Sequence, residues 1–430
     1  MFSTSDVVAV TKGAISQMIG KGYMDQADSA AELTALDDQY IVDLGEKLQL
    51  TEDGDFALNS PADVMYKALL SQCARVVVEK RAYVASLPSM FVDPVNWGLF
   101  TEQVLIELSD VMIDEIWNPD GYINYNEPAV GGIYPGVEEG KRIASIEFGC
   151  YKPPVSAKVY KKAHGIMVPM TRTYDALFTA FRNAEEFTSF VAGLYNSVEN
   201  TLQAKAEVYA YMTVSMGIAK ATANGNVIDL RTEYAAIGGT TTGVTSEELL
   251  HTPAFQAFML QRIDETQDYM RRMGALYNDH DHVTFAGEVH KILLTKAAKA
   301  AKYGVRANTY NERLLGIGDY DTAPAWQAAI ASGASDPYNF TTASSIYLTK
   351  AAAEEAGLTV EEGETTYLLS NVIAVMYDRM AMGITLDRKK VTSQYAASRD
   401  SVNSFSHALV RYQVNDSFPL VVFTIPEESE

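Results

Sequence analysis

Apolar positions recur with a helical period along residues 185–219, where Phe187, Phe190, Val191, Leu194, Val198, Leu202, Tyr209 and Met212 share one spacing. A helix of about 30 residues there would run about 45 Å, enough to cross a whole domain. Phe255, Phe258, Met259, Ile263 and Met270 form a second helical stripe that closes on Arg271 and Arg272. A third helix is expected over 62–85, with Ser60 as its N-cap and Pro61 in its first turn. Elsewhere the period is two. Val155, Ala157 and Val159 alternate with Ser156, Lys158 and Tyr160. The stretches 97–108 and 156–170 therefore read as the two limbs of one long hairpin. HVTFAG (282–287) alternates like a strand, and a helix is expected over 288–304 with Gly304 past its end. SNVIAVMYD (370–378) has the unbroken apolar character of a buried strand, and further strands are expected at 401–414 and 419–425. Residues 222–253, rich in glycine and threonine, read as loops, and 307–345 as mixed loop and short helix.

Charge changes this picture more than composition does. The chain has 430 residues, 47% of them hydrophobic, and suits two or three domains or one domain with large excursions. Its formal charge is −21. Such a surface repels nucleic acid, and it repels copies of itself unless specific contacts intervene. Residues 1–60 hold 11 acids and 3 bases and read as a peripheral arm with short helices. Residues 141–182 hold 8 bases and 2 acids, a net of +6, which leaves −27 for the remainder. A basic stretch on an acidic molecule has an obvious complement in a second copy. The two cysteines, Cys73 and Cys150, define no disulfide framework and read as free thiols. The first residues show no basic-then-apolar signal, and no apolar run approaches the roughly 18 residues of a membrane span. A soluble intracellular product without a membrane partner is expected.

Candidate chemistry is sparse. NDHDHVTFAGEVH (278–290) holds three of the six histidines, His280, His282 and His290. A metal centre needs three or four converging ligands, and the H-E-x-x-H spacing is absent. The polar lip of a buried strand explains the cluster as well, and no metal is expected. GVEEGKR (136–142) has three residues between its glycines where a phosphate loop has four, and Arg142 where that loop has Ser or Thr. GIGD (316–319) lacks the third glycine of a dinucleotide turn. No G-x-S-x-G elbow occurs. Ser404, Ser406 and His407 fit a polar strand face, and Asp378, after its buried strand, fits a turn. No catalytic residue and no cofactor is expected.

Absent chemistry leaves architecture: an acidic body, a long helix, a basic hairpin and an N-terminal arm. In this order the elements resemble tailed-phage major capsid proteins with the Johnson (Hong-Kong-97-type) fold, most nearly those of small short-tailed phi-twenty-nine-like phages. The stretch FGCYKPPVSAKVYKKAHGIMVPMTRTYDALFTAFRNAEEFTSFVAGLYNSVENTLQAKAEVYAYM (148–212) is similar to their passage from extended loop into spine helix. At its centre Glu186, Phe187, Phe190 and Val191 precede Tyr195-Asn196-Ser197. NVIAVMYDRMAMGITLDRKK (371–390) and NSFSHALVRYQVNDSFPLVVFTI (403–425) are similar to the late strand, its long return and the closing strands.

The resemblance implies an α+β Johnson (Hong-Kong-97-type) capsid fold with an N-terminal arm, an extended β-hairpin loop, a long spine helix, and peripheral and axial domains. Residues 1–90 would be the arm and its helices, 91–175 the extended loop, and 176–253 the peripheral domain with the spine. Residues 254–385 would form the axial domain and 386–430 the return strands. It implies a structural, non-enzymatic protein that self-assembles through hexamers and pentamers into an icosahedral shell enclosing double-stranded DNA without sequence-specific binding. Scaffolding and portal proteins would be further partners, with assembly in the host cytoplasm and residence in the virion. Lys141, Arg142, Lys152, Lys158, Lys161, Lys162, Ile166 and Met167 are the expected intersubunit contacts. The rival readings are an encapsulin-like shell and a metal-dependent enzyme using His280 and His282 with Asp281.

Overall fold

The computed structural model describes residues 4–24, 33, 35–48, 60–80, 87–90, 101–106, 155–160, 163–274, 276–278, 282–306, 320–327, 340–361, 364–396, 401–415 and 417–427. The chain divides into two compact units, one of residues 1–98 with 162–430 and one of residues 99–161.

In the larger unit the helices of the N-terminal segment pack on one another and on the long helix of residues 184–223. Helix α1 (Thr4–Gly20) buries Val7, Val10, Ala14, Ile15 and Met18 along one face. Helices α2 (Asp38–Lys47) and α3 (Pro61–Lys80) follow. The Ser60 hydroxyl caps α3 by accepting from the Asp63 amide at 3.2 Å, as the sequence signals. Met65, Leu69, Leu70 and Cys73 of α3 are buried, and α3 packs on α1 and on the long helix. Apolar faces of this kind need a partner surface, so the segment joins the core.

The smaller unit contains an antiparallel pair, β1 (Thr101–Ile106) and β2 (Val155–Tyr160), with Thr101 opposite Tyr160 and Ile106 opposite Val155. Among the described residues the two limbs expected at 97–108 and 156–170 pair over these six positions. The chain then changes partner. β3 (Ala163–Thr173) belongs to the larger unit, where it lies antiparallel to β11, Ala163 opposite Arg411 and Thr173 opposite Ser401.

After β3 come α4 (Tyr174–Ala180) and α5 (Ala184–Ala223). At 40 residues α5 exceeds the expected length and runs about 60 Å. Its start is well specified. Asn183 Oδ1 accepts from the Glu186 amide at 2.7 Å, and Asp38 Oδ1 of α2 accepts from the Ala184 amide at 2.9 Å. Glu185 and Glu186 complement the dipole in the first turn. Phe187, Val191, Leu194, Val198 and Leu202 are buried as their spacing predicts, whereas Met212 is 57% exposed.

Residues 222–253, expected as loops, carry β4 (Val227–Asp229), α6 (Leu230–Ala236) and α7 (Ser246–Leu250). Arg231 organises them. Buried to 7% exposure, it donates to the Thr241 and Val244 carbonyls at 3.1 and 2.9 Å. A side chain satisfying loop carbonyls leaves no periodic trace in sequence. Helix α8 (Pro253–Met270) follows with its expected stripe, burying Phe255, Met259, Ile263 and Met270.

The segment 282–304 keeps the expected order of strand then helix but places both about seven residues later. The strand is β5 (Val289–Leu294) and the helix is α9 (Thr295–Arg306), while 282–287 makes a bridge from His282 to Gly274 and a turn. Ile292, Leu293 and Leu294 are almost wholly buried, and that burial selects the strand. Beyond lie β6 (Asp321–Ala323), α10 (Phe340–Ala343), β7 (Ile346–Thr349), α11 (Lys350–Ala356) and β8 (Thr366–Leu369). The chain closes with β9 (Val372–Asp378), β10 (Met382–Ala396), β11 (Ser401–Val414) and β12 (Leu420–Thr424).

A five-stranded sheet in the order β4-β12-β9-β5-β6 forms one layer, with β9 buried along its whole length. A three-stranded antiparallel sheet, β10-β11-β3, and the β7-β8 pair are the other sheets among the described residues of this unit. Trp326, fully buried, donates from Nε1 to the Val372 carbonyl at 2.7 Å and joins the start of β9 to the core. Gly217 lets β10 meet α5, since a Cβ there would overlap Met382 Sδ. The fold class is α+β, as expected.

Candidate assembly surfaces

The histidine-rich stretch resolves into structural ties. His280 and Asp281 lie outside the described residues. His282 Nε2 sits 3.1 Å from Asp378 Oδ2, and its ring meets Phe418 edge-on at 4.9 Å. Asp378 also accepts from the Thr284 hydroxyl at 2.8 Å and the Met380 amide at 2.7 Å. Burial by itself would raise the Asp378 carboxyl, but the His282, Met380 and Thr284 hydrogen bonds outweigh it and hold it below the ordinary carboxylate value. This Asp therefore makes the expected turn and also ties residues 282–284 to the end of β9.

His290 belongs to β5, where its ring packs 5.6 Å from Tyr377 and Nε2 is buried without a hydrogen-bond partner among the described residues. Burial lowers its pKa, against the pull of Asp321. Tyr377 is pushed up by burial and shares the Ser89 hydroxyl with Asp321. Ser89 thereby ties residues 88–90 to the large sheet. Among the described residues no group of three or more His, Cys, Asp or Glu side chains is placed to hold a metal. His407 bonds Thr392 Oγ1 at 2.9 Å across the β10-β11 ladder, as a polar strand face would. Burial raises the Cys73 thiol to about 12, which makes it unreactive. GVEEGKR, GIGD and Cys150 lie outside the described residues.

Of the expected contact residues, Lys141, Arg142, Lys152, Lys161 and Lys162 also lie outside them. Lys158 occupies the β2 position opposite Gln103. Ile166 and Met167 are on β3, opposite Ala408 and His407. Ile166 is 5% exposed and packs within its own chain. Met167, its neighbour on the opposite strand face, is 54% exposed. The charge reading narrows as well. Residues 99–161 hold 10 acids and 5 bases, so this unit is acidic as a whole and its bases all fall within 141–161.

The structure adds a surface that sequence reading missed. A groove of about 470 Å³ opens beside α5, lined by Val208, Met212, Met216, Tyr347, Leu348 and Tyr412 among others. Tyr347 and Leu368 are register partners across β7 and β8, and they are 43% and 53% exposed. Glu354, Glu355, Glu361 and Glu364 are exposed on α11 and the turn after it. The sequence signal was faint: β7 and β8 are four residues each, too short for their alternation to stand out.

Residues 56–424 match the family model described as Phi29-like phage major capsid protein. Among solved structures, a chain from the capsid of Staphylococcus phage Andhra is 12% identical, with 80% of this chain and 86% of that one covered and a TM-score of 0.45. A chain from the structure of the head fiber and inner core protein gp22 of native bacteriophage P68 is 10% identical, covering 80% and 85%, with a TM-score of 0.44. One from the mature capsid of bacteriophage PhiM1 is 8% identical, covering 81% and 89%, with a TM-score of 0.37. At these scores the superpositions add no argument to the family match. No curated protein matches the sequence.

Proposed function

This chain belongs to the Phi29-like phage major capsid protein family, and from that premise we propose how its own residues join one copy to the next. The protein is a structural major capsid protein of a tailed phage, many copies of which assemble into the icosahedral shell around the genome. The family match favours neither the encapsulin-like reading nor the metal-dependent enzyme, and the imidazole of His282 is engaged by Asp378.

The copies gather into hexamers and pentamers in the host cytoplasm, with scaffolding and portal proteins as further partners. Residues 141–182 of one copy lie over an acidic surface of the next. Their net charge of +6 in a chain of −21 is the observation that carries this reading. Exposed ion pairs contribute only about 0–1 kcal/mol each, so their role is to set register and to exclude wrong pairings. Cohesion comes from apolar area, at about 25 cal/mol per Å² before association costs, with exposed Met167 as one contributor.

Reversing Lys158, Lys161 and Lys162 together to Glu tests the electrostatic part. Electron microscopy and sedimentation of the expressed triple variant should find folded, unassembled subunits. Normal shells from that variant would end the role assigned to the limb.

A further inference from the structure

Resting on that reading, we propose that the acidic, apolar face built by β7, β8 and α11 beside α5 is the seat for residues 152–162 of a second copy. The charges balance over short stretches. Residues 350–364 hold five acids and one base, a net of −4, while residues 152–162 hold four bases and no acid. The face also offers anchors at its centre. Tyr347 and Leu368 stand side by side across the strand pair, Met212 is 57% exposed and Val208 40%, and Glu355 lines the same groove. Exposed apolar side chains ringed by polar ones mark a contact surface. The arriving stretch matches in kind, because Val155, Ala157 and Val159 alternate with Ser156, Lys158 and Tyr160, so it carries an apolar side beside its lysines.

The acidic rim disfavours nucleic acid and anionic lipid as occupants. A shell-building chain meets copies of itself at its lateral contacts, and its long positive stretch supplies the complement. The rim directs approach and register, while Tyr347, Leu368 and Met212 supply the area that leaves water.

The test is a charge swap across the contact in the full chain. Lys158→Glu, Lys161→Glu and Lys162→Glu form one variant, and Glu354→Lys, Glu361→Lys and Glu364→Lys the other. Each alone should reduce particle yield about tenfold or more, through like-charge repulsion at the seat. The six substitutions combined in one chain should restore particles, and co-expression of the two triple variants should give mixed oligomers that neither forms alone, because the contact joins different copies. Circular dichroism of the unassembled subunits checks that both triples fold. A Tyr347→Ser, Leu368→Ser variant, which keeps every charge, should also lose particles.

Assembly by the lysine-reversed chain would overturn the underlying limb reading. If the lysine reversal blocks assembly while the glutamate reversal assembles normally, the limb reading stands and this seat is wrong. Failure of the combined chain to recover, with both triples defective, also rejects the seat. Recovery in the combined chain without mixed oligomers on co-expression would place the contact within one copy and overturn the proposal.

Discussion

Asp378 shows how little a residue's type reveals of its task. Sequence reading puts it in a turn. The structure adds the His282 ring, the Thr284 hydroxyl and the Met380 amide as three donors converging on one buried carboxylate. Substituting Asp378→Ala removes the acceptor of the buried Thr284 hydroxyl and of the Met380 amide, and should cost the unassembled subunit roughly 3 kcal/mol in urea unfolding. Its pH behaviour has a definite sign. A carboxyl held below its unfolded value contributes stability above that value, about 3.9, and loses it as pH falls through the folded value. His290 acts over a higher range. Burial lowers its pKa, so the unfolded chain binds the proton first and stability declines as pH falls below about 6.5. Melting temperature measured against pH should fall in two stages, and His290→Phe should remove the upper one. Ile166 and Met167 carry the same lesson: the sequence offers two adjacent apolar residues, and only the strand face on which each lies decides which one a neighbour can reach.

At the scale of elements, periodic sequence was read well and partner choice was not. The stripe of α5 and the cap on α3 follow from local rules, since helix hydrogen bonds and capping close within a few residues. The positions of β5 and α9 do not. HVTFAG alternates more cleanly than VHKILL, yet the second becomes the strand because β9 and β6 flank it. The split hairpin limb has the same cause: β2 and β3 run on almost without a break, and their pairing with β1 and β11 is settled by strands 49 or more residues away. Gly217 belongs at this scale too. Gly217→Ala should destabilise the subunit by about 1–3 kcal/mol, because the new Cβ meets the sulfur of buried Met382 in a filled interior. Met382→Ala in the same chain should recover part of that loss in denaturant titration, since it opens the space the Cβ needs.

For the whole molecule, assembly sets acidic body against positive limb, and the balance depends on salt. Moderate salt should first ease the repulsion between chains of −21 and then, at high concentration, weaken limb contacts screened over about 3 Å at 1 M. Light scattering of purified subunits should therefore show assembly passing through a maximum with ionic strength; a steady rise to the highest salt would mean the limb contributes no attraction. The order of elements, the acidity, the isolated positive stretch and the long helix were all legible in the sequence, because composition and local periodicity are properties of neighbouring residues. The placement of the first helices in the core, the charge balance of residues 99–161 as one unit, the tie at Asp378 and the groove beside α5 were not. Each arises where segments far apart in the chain meet, and the free energy that selects such meetings comes from burying surfaces together, which no single stretch of sequence contains.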